Sequence, residues 1–274
     1  MSFTTLLVYV DAAELPDEHV RVAVALADKF NAMLVGLSTL AVTPPLFVAE
    51  GIAIDAAVEA EGKQFRATLD SKGKWFNSAA GATRRKVEWR SMLDIPNDAL
   101  AREARCADLL VVRQHRSSLN AYRALDPGRA ILSVGRPTLV VPEGVNTLRA
   151  EHVLIGWKDR REARRAIQDA LPFLHEANRV TIMEICGGGE EETARKHVDD
   201  VAQYLARHRI TAAPRVMTHR GGSGAKPLIE TAQQEGADLL VTGAYGHTRL
   251  GEWIFGGVTH DLLEISPICC LMAH

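Results

Sequence analysis

Cysteine is scarce in this chain, with Cys106, Cys186, Cys269 and Cys270 the only four among 274 residues. Their spacing fits neither a disulfide framework nor a zinc site, so a reducing, cytoplasmic location is expected. Cys269 and Cys270 lie in the apolar run Ile268 to Met272. Neighbouring strand side chains there point to opposite faces, and both thiols are expected to pack in the core. No apolar stretch approaches the roughly 20 residues that a membrane helix needs. Met1 to Val10 has no basic segment and no small-residue cleavage site, so no export signal is expected. An excess of either charge is also missing: 32 Lys and Arg stand against 34 Asp and Glu, a net of −2. That balance gives no electrostatic reason to expect nucleic acid or a membrane surface as partner. Ten histidines are scattered without a His-x-x-x-His pair, and no metal centre is expected.

What is present is a repeat. Ala107-Asp108-Leu109-Leu110-Val111 recurs as Ala237-Asp238-Leu239-Leu240-Val241, an offset of 130 (237 minus 107) that also carries Leu132 onto Leu262 and Pro137 onto Pro267. Two copies of one unit account for this, at residues 1–145 and 150–274, with the polar stretch Pro142 to Glu151 as a short hinge that keeps them packed together.

Each copy alternates strand and helix. In the second, His152 to Trp157 reads as a strand. From Arg160 to about His175 a helix follows, with Ala163, Ala166, Ile167, Ala170, Leu171 and Leu174 on one face and with Pro172 expected to disturb its end. Next come a strand at Arg179 to Ile185, a helix at Glu190 to Arg209, a strand at Ala213 to Thr218, a helix at Lys226 to Glu235 and a strand at Ala237 to Thr242. The first copy offers strands near Thr4 to Val10, Met33 to Leu37, Lys86 to Trp89 and Asp108 to Val112, and a long helix from about Phe47 to Ala80. Continuous apolar strands between amphipathic helices indicate an α/β fold, two tandem doubly wound units, each a parallel sheet of about five strands with helices on both faces.

Ligand crevices in such sheets lie beyond the carboxyl ends of the strands. Gly243-Ala244-Tyr245-Gly246 leaves a buried strand there, and nine residues later Gly256-Gly257-Val258-Thr259 opens a helix expected at Phe255 to Ile265. Glycine lets the backbone approach a ligand closely, and helix-start N–H groups favour phosphate. Glycines that serve only turns are the alternative. Gly221-Gly222-Ser223-Gly224 lacks the Gly-Lys-Ser/Thr ending of a phosphate loop and reads as the turn before a helix. Glu190-Glu191-Glu192 suits a helix N-terminus rather than a metal.

Gly-x-x-Gly, nine residues, then Gly-x-Val-Thr resembles the universal stress protein family in its tandem two-domain form. Val153-Leu154-Ile155-Gly156-Trp157, Arg161-Glu162-Ala163, Asp169-Ala170-Leu171-Pro172, Gly236 to Leu240 and the tail Pro267 to His274 extend the likeness. The first copy is similar more loosely, through Ala107 to Val112 and Pro137 to Pro142. The resemblance implies strand order 3-2-1-4-5 and dimeric assembly, here imitated by two halves packed as a pseudo-dimer, with further homodimerisation open. It also implies an adenine nucleotide, ATP foremost, with Mg2+ an optional companion. The implied contacts are Gly156, Trp157 and Lys158 at the end of the first strand, Met183 (with Glu184 beside it) at the adenine edge, Thr242, Gly243, Tyr245, Gly246 and His247 around ribose and phosphates, and Gly256, Gly257, Val258 and Thr259 at the phosphate-holding helix start. Arg249 lies in the same loop.

Two positions depart from the family pattern. Gly257 stands where a Ser or Thr hydroxyl is common, and Lys158 where Asp is common, with Asp159 next to it. In the first copy the offset places Arg113, Arg116, Asp126 and Pro127 at the glycine positions, so nucleotide is not expected there in the same manner. Arg113, His115, Arg116 and Arg123 could hold another anion or form a solvated loop. The expected function is nucleotide-dependent regulation in a stress response. Binding would bias conformation, with slow ATP hydrolysis the most chemistry foreseen because no residue is an evident general base. The alternatives are an interaction scaffold without nucleotide and a carrier of a small ligand or anion.

Overall fold

The computed structural model describes residues 2–12, 18–41, 52–81, 83–114, 124–219, 221, 223–246 and 257–274, with 52–58 described by their backbone alone. The first half runs β1 (Thr5–Tyr9), α1 (Glu18–Phe30), β2 (Met33–Leu40), α2 (Ile52–Ala80), β3 (Val87–Leu93), α3 (Pro96–Glu103), β4 (Leu109–Arg113), α4 (Pro127–Ser133) and β5 (Thr138–Val141). The second runs β6 (His152–Trp157), α5 (Arg161–Glu176), β7 (Arg179–Cys186), α6 (Glu191–Arg207), β8 (Ala212–Thr218), α7 (Ala225–Glu235), β9 (Leu239–Gly243), α8 (Gly257–Ile265) and β10 (Cys269–Ala273). Part of the long helix expected from Phe47, and the start of the last helix at Phe255 and Gly256, lie outside the described residues.

The ten strands form one sheet in the order β3-β2-β1-β4-β5-β10-β9-β6-β7-β8. Each run of five is parallel and ordered 3-2-1-4-5 in its own half. The two runs meet at an antiparallel seam, where Cys270 pairs with Val140, Leu271 with Leu139 and Met272 with Thr138. The seam buries the apolar edge strands β5 and β10, which would otherwise offer unpaired backbone to other chains. Outer strands β3 and β8 are partly exposed, and Pro214, which cannot donate to a ladder, sits in the edge strand β8.

Alternation along the strands builds two core layers. Leu6 and Val8 face one layer, shared with α1, α2, α5 and α6, while Leu7 and Tyr9 face the other, shared with α3, α4, α7 and α8. Both layers run through both halves. Phe3 and Phe30 from the first half pack on Phe173 of α5, with ring centroids 5.0–5.4 Å apart in tilted or edge-on pairs. Cys269 and Cys270 are buried free thiols, and burial pushes Cys270 up to about 12.

The repeated Ala-Asp-Leu-Leu-Val segment proves to be a clamp. Asp108, just ahead of β4, accepts the N–H groups of Thr4 (2.8 Å) and Thr5 (3.0 Å) and the Thr4 hydroxyl (2.6 Å) at the start of β1. Asp238, ahead of β9, accepts the N–H groups of Glu151 (3.3 Å) and His152 (3.1 Å) at the start of β6. Burial raises the Asp108 pKa, but the hydrogen bonds from Thr4 and Thr5 outweigh it and hold the carboxyl below its ordinary value. A carboxyl lowered on folding stabilises above its unfolded pKa of about 3.9 and loses that contribution as the pH falls through the lower folded value. Asp108→Asn should therefore cost about 1–3 kcal/mol at pH 7, with the gap to wild type closing in acid. Urea unfolding of both proteins across the acid range checks it, and a gap that widens towards low pH contradicts the clamp.

Pro172 lies inside α5, which continues past it to Glu176. The proline removes one backbone donor, yet Pro172, Phe173 and Leu174 are all buried, and that packing holds the last turn.

Candidate functional site

A cavity of about 620 Å³ opens at the carboxyl ends of β6, β7 and β9. Strand β6 lies between β9 and β7, so the chain winds in opposite directions on its two sides, the switch point where α/β sheets leave a crevice. Its walls are the ends of β6 and β7, the stretch after β8, the loop after β9 and the starts of α5, α7 and α8. Of the thirteen residues expected from the sequence, Gly156, Trp157, Lys158, Met183, Thr242, Gly243, Tyr245, Gly246, Gly257, Val258 and Thr259 all line this cavity. The other two, His247 and Gly256, fall outside the described residues, as do Arg249 and, in the first half, His115, Arg116 and Arg123.

Several residues enter the wall in unexpected ways. Gly243 is required by close packing: a Cβ there would stand 2.5 Å from the Ala163 nitrogen and 2.6 Å from the Glu162 carbonyl carbon. The end of β9 thus abuts the first turn of α5. Tyr245 has a left-handed backbone (φ 58°), and its N–H donates to the Thr259 hydroxyl at 3.2 Å, tying the β9 loop to α8. Its phenol leaves towards the first half, lying 2.3 Å from where a Cβ on Gly128 would be. Burial, helped by Asp126, raises the Tyr245 pKa well above the ordinary phenol value. Residue 245 can therefore offer backbone to a ligand while its ring locks the halves together. The Thr242 hydroxyl donates to the Gly243 carbonyl at 3.1 Å.

Lys158 lies 3.3 Å from a carboxylate oxygen of Glu184, whose other oxygen is 3.0 Å from His197 Nδ1 on α6. Glu184 is buried beneath the sheet face opposite Met183. It is a partner for Lys158 and His197 rather than part of the cavity lining. The Lys158 charge is thereby matched at its own end of β6.

Sequence reading missed Arg160, Glu162, Ala163, Ile185, Cys186, His219, Gly221, Ser223, Gly224 and Leu228 in the lining. The Gly221 to Gly224 segment, which reads as a turn in the sequence, contributes three of these; Gly222 lies outside the described residues. The signal available was positional, since helix starts and strand ends of one half converge on one crevice. Glu162 is the only acidic side chain in the described lining. Burial raises its pKa, but the hydrogen bond from Arg161 (2.5 Å) prevails and keeps it below the ordinary value. In the first half the corresponding helix start is closed by its own residues: Asp126 accepts from the Arg129 N–H at 3.1 Å, and Pro127 has no N–H to give.

A doubly wound half with a cleft at its switch point, walled by three helix starts and a glycine loop, has the architecture in which α/β sheets leave a crevice for a ligand. By comparison, residues 151–274 match the universal stress protein family. Across nearly its whole length the chain is similar in fold to a universal stress protein from Archaeoglobus fulgidus DSM 4304, with 12% identity, TM-score 0.70, and 98% of this chain and 97% of that one covered. A functionally unknown protein from Pseudomonas aeruginosa PAO1 is similar at 12% identity and TM-score 0.60, over 99% of this chain and 92% of that one. Among curated proteins none matches the chain by sequence. Among the described residues no helix is long and apolar enough to cross a membrane, and no group of three His, Cys, Asp or Glu gathers as a metal site.

Proposed function

We propose that this protein binds an adenine nucleotide, ATP foremost, in the second-half cavity and acts as a stress-response regulator in the cytoplasm. The observation that carries the reading is the convergence of all eleven described glycine-signature and strand-end residues on one cavity of nucleotide size. Met183 and Leu228 supply an apolar wall for a base. The starts of α7 and α8 supply donors for phosphate, and Arg160 adds positive charge. With a single carboxylate in the described lining, Mg2+ would arrive on the phosphates, with Glu162 within the same cavity to meet it through water.

Residues 1–145 and 150–274 are read as two units of one ancestral domain, and the β5–β10 seam as a dimer interface built into a single chain. On this reading the second unit binds and the first responds, without catalytic turnover as the main event.

Gently purified protein should release ATP, ADP or AMP on denaturation, identified by mass spectrometry. Release of nothing, together with no heat on titrating ATP, would favour a scaffold, and release of another anion a carrier. Gly246→Val should weaken ATP about tenfold or more. A Cβ at 246 would already come within 3.2 Å of a Glu162 carboxylate oxygen, and the side chain would deny a phosphate its approach to the backbone. Unchanged affinity in isothermal titration clears the loop of any role.

A further inference from the structure

Gly257 leaves the first turn of α8 without a side chain, and the space it vacates is bordered by another segment. A Cβ at 257 would meet nothing nearer than Ser223 Cβ at 3.8 Å and Ser223 Oγ at 4.0 Å. The approach is held from both sides. A Cβ on Gly224 would lie 3.7 Å from Val258 Cγ2, so the 223–224 segment packs on the first turn of α8, and all four residues line the cavity. Ser223 Oγ accepts the Ala225 N–H at 3.2 Å, which fixes the oxygen at the start of α7. Among the described residues its proton has no acceptor, so the hydroxyl has a donor to spare on a cavity wall.

We infer that Ser223 donates its hydroxyl to the phosphate of the bound nucleotide, doing from the α7 side what residue 257 cannot do from the α8 side. The site then spans two helix starts, α7 and α8, rather than one, which suits a polyphosphate better than a single phosphate. This rests on the proposed nucleotide reading of the cavity and adds to it a residue and a preference for di- and triphosphates.

Titration calorimetry with ATP, pyrophosphate and adenosine on the full chain tests it. Ser223→Ala should weaken ATP and pyrophosphate about tenfold, the loss of one hydrogen bond to a charged group. Adenosine affinity should not change. Adding Gly257→Ser to Ser223→Ala should recover most of the ATP affinity, because the new hydroxyl enters the same space. That rescue separates a ligand contact from a merely structural role, since a serine at 257 cannot restore the lost bond to the Ala225 N–H. Equal ATP affinity in wild type and Ser223→Ala overturns the assignment of Ser223 and leaves the nucleotide reading standing. Weakening of adenosine to the same degree, or no rescue by Gly257→Ser in a folded double variant, also overturns the assignment. A wild type that binds neither ATP nor pyrophosphate overturns both.

Discussion

Phe173→Ala is expected to lower the unfolding temperature by about 10 °C. Phe173 is fully buried and its ring meets Phe3 and Phe30, so the truncation removes contacts made across the two halves as well as within α5. Cutting a buried phenylalanine to alanine costs about 3–5 kcal/mol through lost transfer energy and the cavity left behind. For a chain of this size each kcal/mol moves the midpoint by about 2–4 °C. Leu132→Ala is the control: Leu132 is 42% exposed on α4, and its loss should shift the midpoint little. Differential scanning calorimetry of the three proteins decides. A Phe173→Ala midpoint within about 2 °C of wild type would mean that the aromatic cluster does not bind the halves to one another.

Gly243→Ala should cost more than its single added methyl suggests. The methyl would be driven to 2.5 Å from main-chain nitrogen at the start of α5, and backbone there cannot rotate aside as a side chain can. Overpacking costs about 1–3 kcal/mol where side chains can adjust, and a main-chain collision belongs at or above the top of that range. The expected result is a midpoint lowered by about 5–10 °C. ATP affinity should fall as well, because the cavity wall between β9 and α5 must part. Gly257→Ala adds a methyl where the nearest atom is at 3.8 Å, and should melt close to wild type. Similar melting of both variants would show that Gly243 is not a packing requirement. The two glycines look equivalent in sequence, and the comparison separates a glycine that lets chains meet from one that leaves a cavity open.

Much of the architecture was legible because parallel strands buried on both faces are continuous apolar runs. His152 to Trp157 matches the observed strand residue for residue, and most other boundaries lie within a few residues. The cavity was legible for a related reason, since the Gly243 loop leaves a strand at the end where the fold must leave a crevice. How α5 accommodates Pro172 was not legible, because local propensity carries no account of the burial of Phe173 and Leu174 beside it.

The amino-acid order by itself determined the periodicities, the doubling and the places where side chains are missing, since each is a property of neighbours along the chain. Tertiary structure alone decided that β5 meets β10 antiparallel, that Lys158 is matched by Glu184, that the Tyr245 ring turns to the other half, and that Ser223 stands beside the bare start of α8. Those contacts join residues 26 to 134 positions apart (184 minus 158 at the near end, 272 minus 138 at the far one). Their geometry depends on how layers stack and which way each side chain leaves its strand or helix, and no local pattern records that.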